Sequence, residues 1–231
     1  MARIRGWQRW VIGGIVVVAI LAVAGPYVYI HFIEGKAPKR LALTSTSGAG
    51  STASTTAAVP AGGVDGTWQA TSASQVGYRV KEILFGQNNE AVGRTTAVTG
   101  DATITGSKVN AATVTVDLTQ VSSDRSQRDN QFRHRIMDTS TYPTVTFKLT
   151  QPIDLPSTTG RVSTKASGDL TAHGVTKPAV ADLQAERSGT TIRVSGSIPI
   201  TFASWNIPNP SFGPVSTQDN GLIEFLVVLS H

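Results

Sequence analysis

No cysteine occurs in the 231 residues, which excludes disulfides and thiolate chemistry. Charged side chains are sparse at 15%, and aromatic ones amount to 6%. The basic excess is confined to the start of the chain. Residues 1–66 hold six basic and two acidic residues, whereas residues 67–231 hold 14 and 13, a difference of +1. That near balance argues against the basic footprint a nucleic-acid partner requires. Nucleophile motifs such as G-x-S-x-G are missing, and so are the metal-ligand spacings H-x₃-H and H-E-x-x-H. Of the four histidines, His31 lies in an apolar run and His231 is the last residue. His134 and His173 remain, with Asp129 or Asp138 as conceivable fellow ligands. The reading is against an enzyme, with no cofactor.

One long apolar run is present. Residues 11–33 contain no lysine, arginine or carboxylate, follow Arg3, Arg5 and Arg9, and are long enough for a bilayer core. They are read as a retained transmembrane anchor behind a cytoplasmic tail, residues 1–10. A cleaved signal peptide ending at Ala22-Val23-Ala24 is the rival. Residues 34–66, rich in Ser, Thr, Ala and Gly, are too poor in apolar groups to offset ordering entropy and are expected to form a flexible linker. The domain at residues 67–231 would then lie outside the cytoplasm.

That domain alternates with period two. Val76/Tyr78/Val80, Ala102/Ile104, residues 112–118, Val145/Phe147/Leu149, the odd positions from Ala179 to Ala185, Ile192/Val194 and Ile198/Ile200/Phe202 read as half-buried strands. An apolar run over 222–229 closes the chain, and turn residues separate the runs. About eight antiparallel strands in a barrel or sandwich are predicted, with an irregular crossing over 205–214, where three prolines fall. Small residues at Ala102, Ala112, Ala181 and Ala185 leave room for a lumen.

The densest charge lies in residues 122–138, SSDRSQRDNQFRHRIMD. The i,i+4 pairs Asp124/Arg128 and Asp129/Arg133 predict one short helix with an apolar foot at Phe132 and Ile136. Ser122 or Ser123 would cap it, and Tyr142-Pro143 would stop it. Arg128 and Asp129 either tie this helix to a barrel rim or present an arginine to an anionic head group.

Arg128, Asp129, Phe132 and Asp138, followed by Tyr142, Pro143 and Phe147, together with GDLTAHGVTKP at 168–178, resemble the signature of the YceI-like family. The resemblance runs over roughly 67–231. It implies a lipocalin-like antiparallel β-barrel holding a polyisoprenoid or similar long-chain lipid, usually outside the cytoplasm. Two family histidines are missing, replaced by Ala73 and, near the second position, Glu82. Trp68 takes the aromatic position of a plug at one barrel end. The ligand-binding candidates are Arg128, Phe132, Phe147, His173, Phe202 and Trp205, with Phe85 and Phe212 as further aromatics. The rival function is an envelope interaction module that binds a protein or glycan through its rim loops.

Overall fold

A computed structural model describes residues 37–43, 64–84, 86–155, 160–213 and 215–231, together with six isolated positions between 14 and 25. Most of the expected anchor, most of the linker and Phe85 fall outside the described residues. Among those described, no helix is long and apolar enough to cross a membrane.

The strands are β1 (Gly66–Ala70), β2 (Gln75–Leu84), β3 (Gln87–Thr95), β4 (Val98–Thr105), β5 (Lys108–Asp117), β6 (Thr144–Leu149), β7 (Ile153–Asp154), β8 (Val162–Ala172), β9 (Val175–Ser188), β10 (Thr191–Thr201), β11 (Val215–Thr217) and β12 (Asn220–Ser230). Their hydrogen bonds run β1-β4-β5-β6-β8-β9-β10-β12, and β12 pairs back onto β1. Every pairing is antiparallel, so the result is a closed eight-stranded barrel with no free edge in the ring. The expected count of about eight barrel strands is met, although β1 and β8 were not among the alternating runs, and the runs at 192–194 and 198–202 belong to the single strand β10. Closure disposes of the edge-pairing hazard.

Strand β12 binds two partners on one side. Its last residues pair with β1 (Ala70 opposite Leu229), while Leu222 to Leu226 pair with β2. The chain breaks between β1 and β2 at a turn anchored by Ser74. Its hydroxyl accepts from the Val228 amide at 3.0 Å and is fully buried. Beyond the break, β2 and β3 form a hairpin that prolongs one end of the barrel, and β11 adds to β2 by pairing Ser216 with Ile83.

The two ends differ. Trp68, 1% exposed, fills one end with Ile104, Leu229 and Val227 packed around it, and its indole N–H donates to the Val64 carbonyl at 2.8 Å. Trp68 is the plug the resemblance implied. The other end is covered by helix α1 (Ser126–Gln131), which runs on into a π turn at Phe132–Ile136. Its start corrects the capping expectation: residue Arg125 stands at the cap with no side-chain bond. Ser123 instead donates its amide and hydroxyl to Asp129, at 2.8 and 2.7 Å. The helical run also stops before Met137, short of Pro143, because Asp138 takes a positive φ of 41°.

The linker expectation needs a correction. Residues 37–43 lie on the outer wall of the barrel. Arg79 and Arg94 donate to the carbonyls of Pro38 and Lys39, and Arg161 donates to that of Leu43. The Leu43 amide in turn donates to Ser195 Oγ at 3.2 Å, and the Leu43 side chain is buried. Composition argued for disorder because these residues offer little apolar surface. The backbone carbonyls, paired with guanidinium groups on the barrel, supply what the side chains lack.

Beneath this strap is a buried ionic cluster. Arg79 lies on the outward face of β2, yet is only 4% exposed. Its Nε donates to Glu224 at 3.0 Å and its Nη1 to Glu90 at 2.6 Å. Arg94 reaches Glu224 at 2.8 Å across Gly77, where a Cβ would stand 2.7 Å from the Arg94 chain. Glycine at 77 is thus what lets the second arginine cross.

Candidate functional site

The end of the barrel under α1 holds a cavity of about 370 Å³. Alternation along β2 directs Val76, Tyr78, Val80, Glu82 and Leu84 into it. Val116, Leu118, Val121 and Val145 line the opposite wall, and Phe202, Ile200 and Ile223 the floor side of β10 and β12. Phe132, Ile136 and Met137 close it from the helical turn; Ile207, Phe212 and Val215 stand at the crossing loop. Apart from Glu82, Arg125, Gln127, Arg128, Gln131 and Thr217, the lining is apolar, the composition of a site for an apolar ligand.

Phe132 stacks on Tyr78, with ring centroids 5.1 Å apart and planes 15° from parallel. This contact pins the helical turn to β2. Burial, and behind it the carboxylates of Asp129, Glu82 and Asp124, push the Tyr78 phenol well above its usual pKa against the opposing pull of Arg128. The phenol thus stays neutral inside an apolar wall.

An ion pair in the cavity wall joins Glu82 to Arg128. Glu82 points inward and is 7% exposed. It faces Arg128 Nη2 at 3.5 Å and accepts from Asn89 at 2.8 Å. Arg128 also pairs with Asp124 one helical turn earlier. Arg128 therefore does tie the helix to the rim, but through Glu82 on β2 rather than through Asp129, whose carboxylate is taken by Ser123. Nor does Arg133 meet Asp129: it donates to the Val121 carbonyl at 3.3 Å and to Asn130 at 3.2 Å.

Of the six candidate residues, Arg128, Phe132 and Phe202 line the cavity and the other three do not. Phe147 packs beside the main core from β6, against Gly168. Trp205 is buried beneath the floor, its indole N–H donating to the Leu170 carbonyl at 3.1 Å. His173 sits with Gly174 in the two-residue turn between β8 and β9, at φ of 47° and 75°. Positive φ at both positions is the mark of a type I′ hairpin turn. The imidazole packs against the Tyr142 ring at 4.5 Å. Among the described residues, no three His, Asp or Glu side chains converge as metal ligands.

Sequence reasoning missed Glu82, Tyr78 as a wall residue and, Phe212 apart, the 207–215 side of the opening. Continuing the β2 alternation past Val80 would have placed Glu82 inward. No signal placed the crossing loop, because its position is set by the barrel and not by its own pattern.

A closed antiparallel barrel with a chamber under a short helix is a lipocalin-like architecture. The chain belongs to the YceI-like domain family, whose pattern matches residues 68–229. It is similar to a solved polyisoprenoid binding domain from Saccharophagus degradans implicated in plant cell wall breakdown (TM-score 0.58, 19% identity). That likeness covers 71% of this chain and 97% of that one. It is also similar to BcnA of Burkholderia cenocepacia (TM-score 0.55, 20% identity), covering 69% and 98%. A UPF0312 protein of Vibrio parahaemolyticus is 41% identical over 76 residues, 32% of this chain and 36% of that protein. The match thus spans about a third of that curated relative.

Proposed function

We propose that the barrel binds a long apolar lipid, most consistently a polyisoprenoid, and sequesters or carries it without covalent change. The observation that carries this reading is the apolar chamber opening beside α1. Ligand surface leaving water there is stabilised by about 25 cal/mol per Å². The polyisoprenoid named for the Saccharophagus degradans domain suggests the ligand class. The protein is further proposed to sit in the cell membrane through residues 11–33, with the barrel extracytoplasmic, on the strength of the apolar run and the arginines before it.

The test is an organic extract of the purified full chain analysed by mass spectrometry, beside an Ala172→Leu variant that fills the chamber from β8. An apolar chain carried by the native protein and lost from the folded variant is the expected result. An empty native barrel that also takes up no added polyprenol overturns the reading and favours recognition through rim loops.

A further inference from the structure

The outer lip of the chamber differs from the rest of the barrel surface. Phe212 lines the opening yet is 55% exposed, and Ile83, 46% exposed, lies on the outward face of β2 beside the same hairpin. Arg135 stands over the Phe212 ring at 5.0 Å and donates to the Pro210 and Ser211 carbonyls at 3.1 and 3.0 Å. Lys81 is exposed on the same face as Ile83. The carboxylates nearby are engaged, Asp124 and Glu82 by Arg128 and Asp129 by Ser123. An exposed aromatic and an isoleucine among cations is the composition that seats in a head-group layer.

The strap adds a distance. Residue 37 onward is held on the β2 and β3 wall, so only residues 34–36 separate the proposed anchor from the barrel. That length of chain bridges at most about 15 Å. Arg79, where the strap begins, lies seven residues before Gly86 at the hairpin tip, about 23 Å along the strand. A chain fixed this way keeps the lip near the bilayer, unlike a free linker of 33 residues.

We propose that the Ile83, Phe212 and Arg135 lip docks on an anionic lipid surface, held there by the short tether, so that ligand passes between bilayer and chamber at the lip. The proposal rests on the lipid-binding and anchoring readings above. The absence of native cysteine permits single labels. Ile83→Cys and, at the plugged end, Ser188→Cys would carry an environment-sensitive dye in the full chain reconstituted in vesicles. The vesicles are phosphatidylcholine with about one-third phosphatidylglycerol, a surface of the anionic kind, plus a brominated lipid quencher. Quenching at 83 and not at 188 is expected. It should fall in Arg135→Glu, and also when about twenty Gly/Ser residues, adding about 25 Å of reach, are inserted between 36 and 37. Equal, weak quenching at both sites, in protein that floats with the vesicles and still carries lipid, overturns the docking and leaves the ligand reading standing. Undiminished quenching with the longer tether overturns the role given to the strap. Protein that fails to float overturns the anchor and the tether with it; protein that floats but holds no lipid overturns the ligand reading alone.

Discussion

Arg79 and Glu224 meet on the outside of the barrel at 3.0 Å, both almost wholly removed from solvent by a strap of the same chain. Burial opposes the charge on Arg79, but its hydrogen bonds to Glu224 and Glu90 outweigh that and hold its pKa above the usual value. Glu224 serves two arginines at once, so neutralising it deprives Arg94 of its carboxylate and leaves Arg79 with Glu90 alone. Glu224→Gln is expected to lose about 3 kcal/mol in chemical denaturation, the scale for breaking a buried pair. A loss under about 0.5 kcal/mol, typical of surface changes, would mean that water reaches the cluster.

The strap contributes stability of its own. Leu43 is 5% exposed although it precedes the Ser/Thr-rich run. Leu43→Ala should cost about 2 kcal/mol, the low end for a buried leucine. Thermal unfolding unchanged by the substitution would return residues 37–43 to the flexible linker.

Arg128 and Glu82 form the polar contact of the chamber. Removing Arg128 takes a cationic partner from the buried Glu82, which keeps its bond from Asn89, so Arg128→Ala should destabilise the barrel by about 2–3 kcal/mol, discounted below a fully buried pair. Adding Glu82→Gln should restore part of that loss. A double-mutant cycle measures the coupling, and additive losses would show that the two side chains act separately.

Two phenylalanines of the same chamber separate packing from binding. Phe202 is buried in the main core, and Phe202→Ala should cost about 3–5 kcal/mol. Phe212 is over half exposed, so Phe212→Ala should change stability by less than about 0.5 kcal/mol while weakening uptake of a polyprenol. Melting curves and a fluorescent-ligand titration on the two variants check the contrast.

Asp138 follows the π turn in a left-handed conformation. Hydrogen bonds from Ser140 and Thr141 hold its carboxyl below the ordinary aspartate value of 3.8. A depressed folded-state pKa gives stability that is full above 3.8 and is lost as pH falls through the lower folded value. Asp138→Asn, which tolerates the same backbone, should therefore lower the melting point at neutral pH and converge with the native protein at strong acid. Parallel curves across that range would contradict the assignment.

What the sequence revealed depended on whether side chains or backbone did the holding. Phe132 and Ile136 were legible as an apolar foot because i,i+4 spacing puts them on one helical face. Phe202 was legible because it continued a strand alternation. The same i,i+4 spacing served Asp124 and Arg128, which pair, but not Asp129 and Arg133, because Ser123 and the Val121 carbonyl, outside the helix, compete for those side chains. His173 drew attention as a histidine, whereas its place is set by a hairpin turn whose φ values composition does not display. Residues 37–43 were illegible since carbonyl oxygens, common to every residue, make most of their contacts.

That last feature bears on how the protein can diverge. Because Arg79, Arg94 and Arg161 take hold of main-chain oxygens, substitutions at 38 and 39 leave the acceptors unchanged, while any exchange of the arginines removes a donor. Descendants of this chain can rewrite much of the stalk freely, and the trace of selection for its attachment will be found on the barrel wall instead.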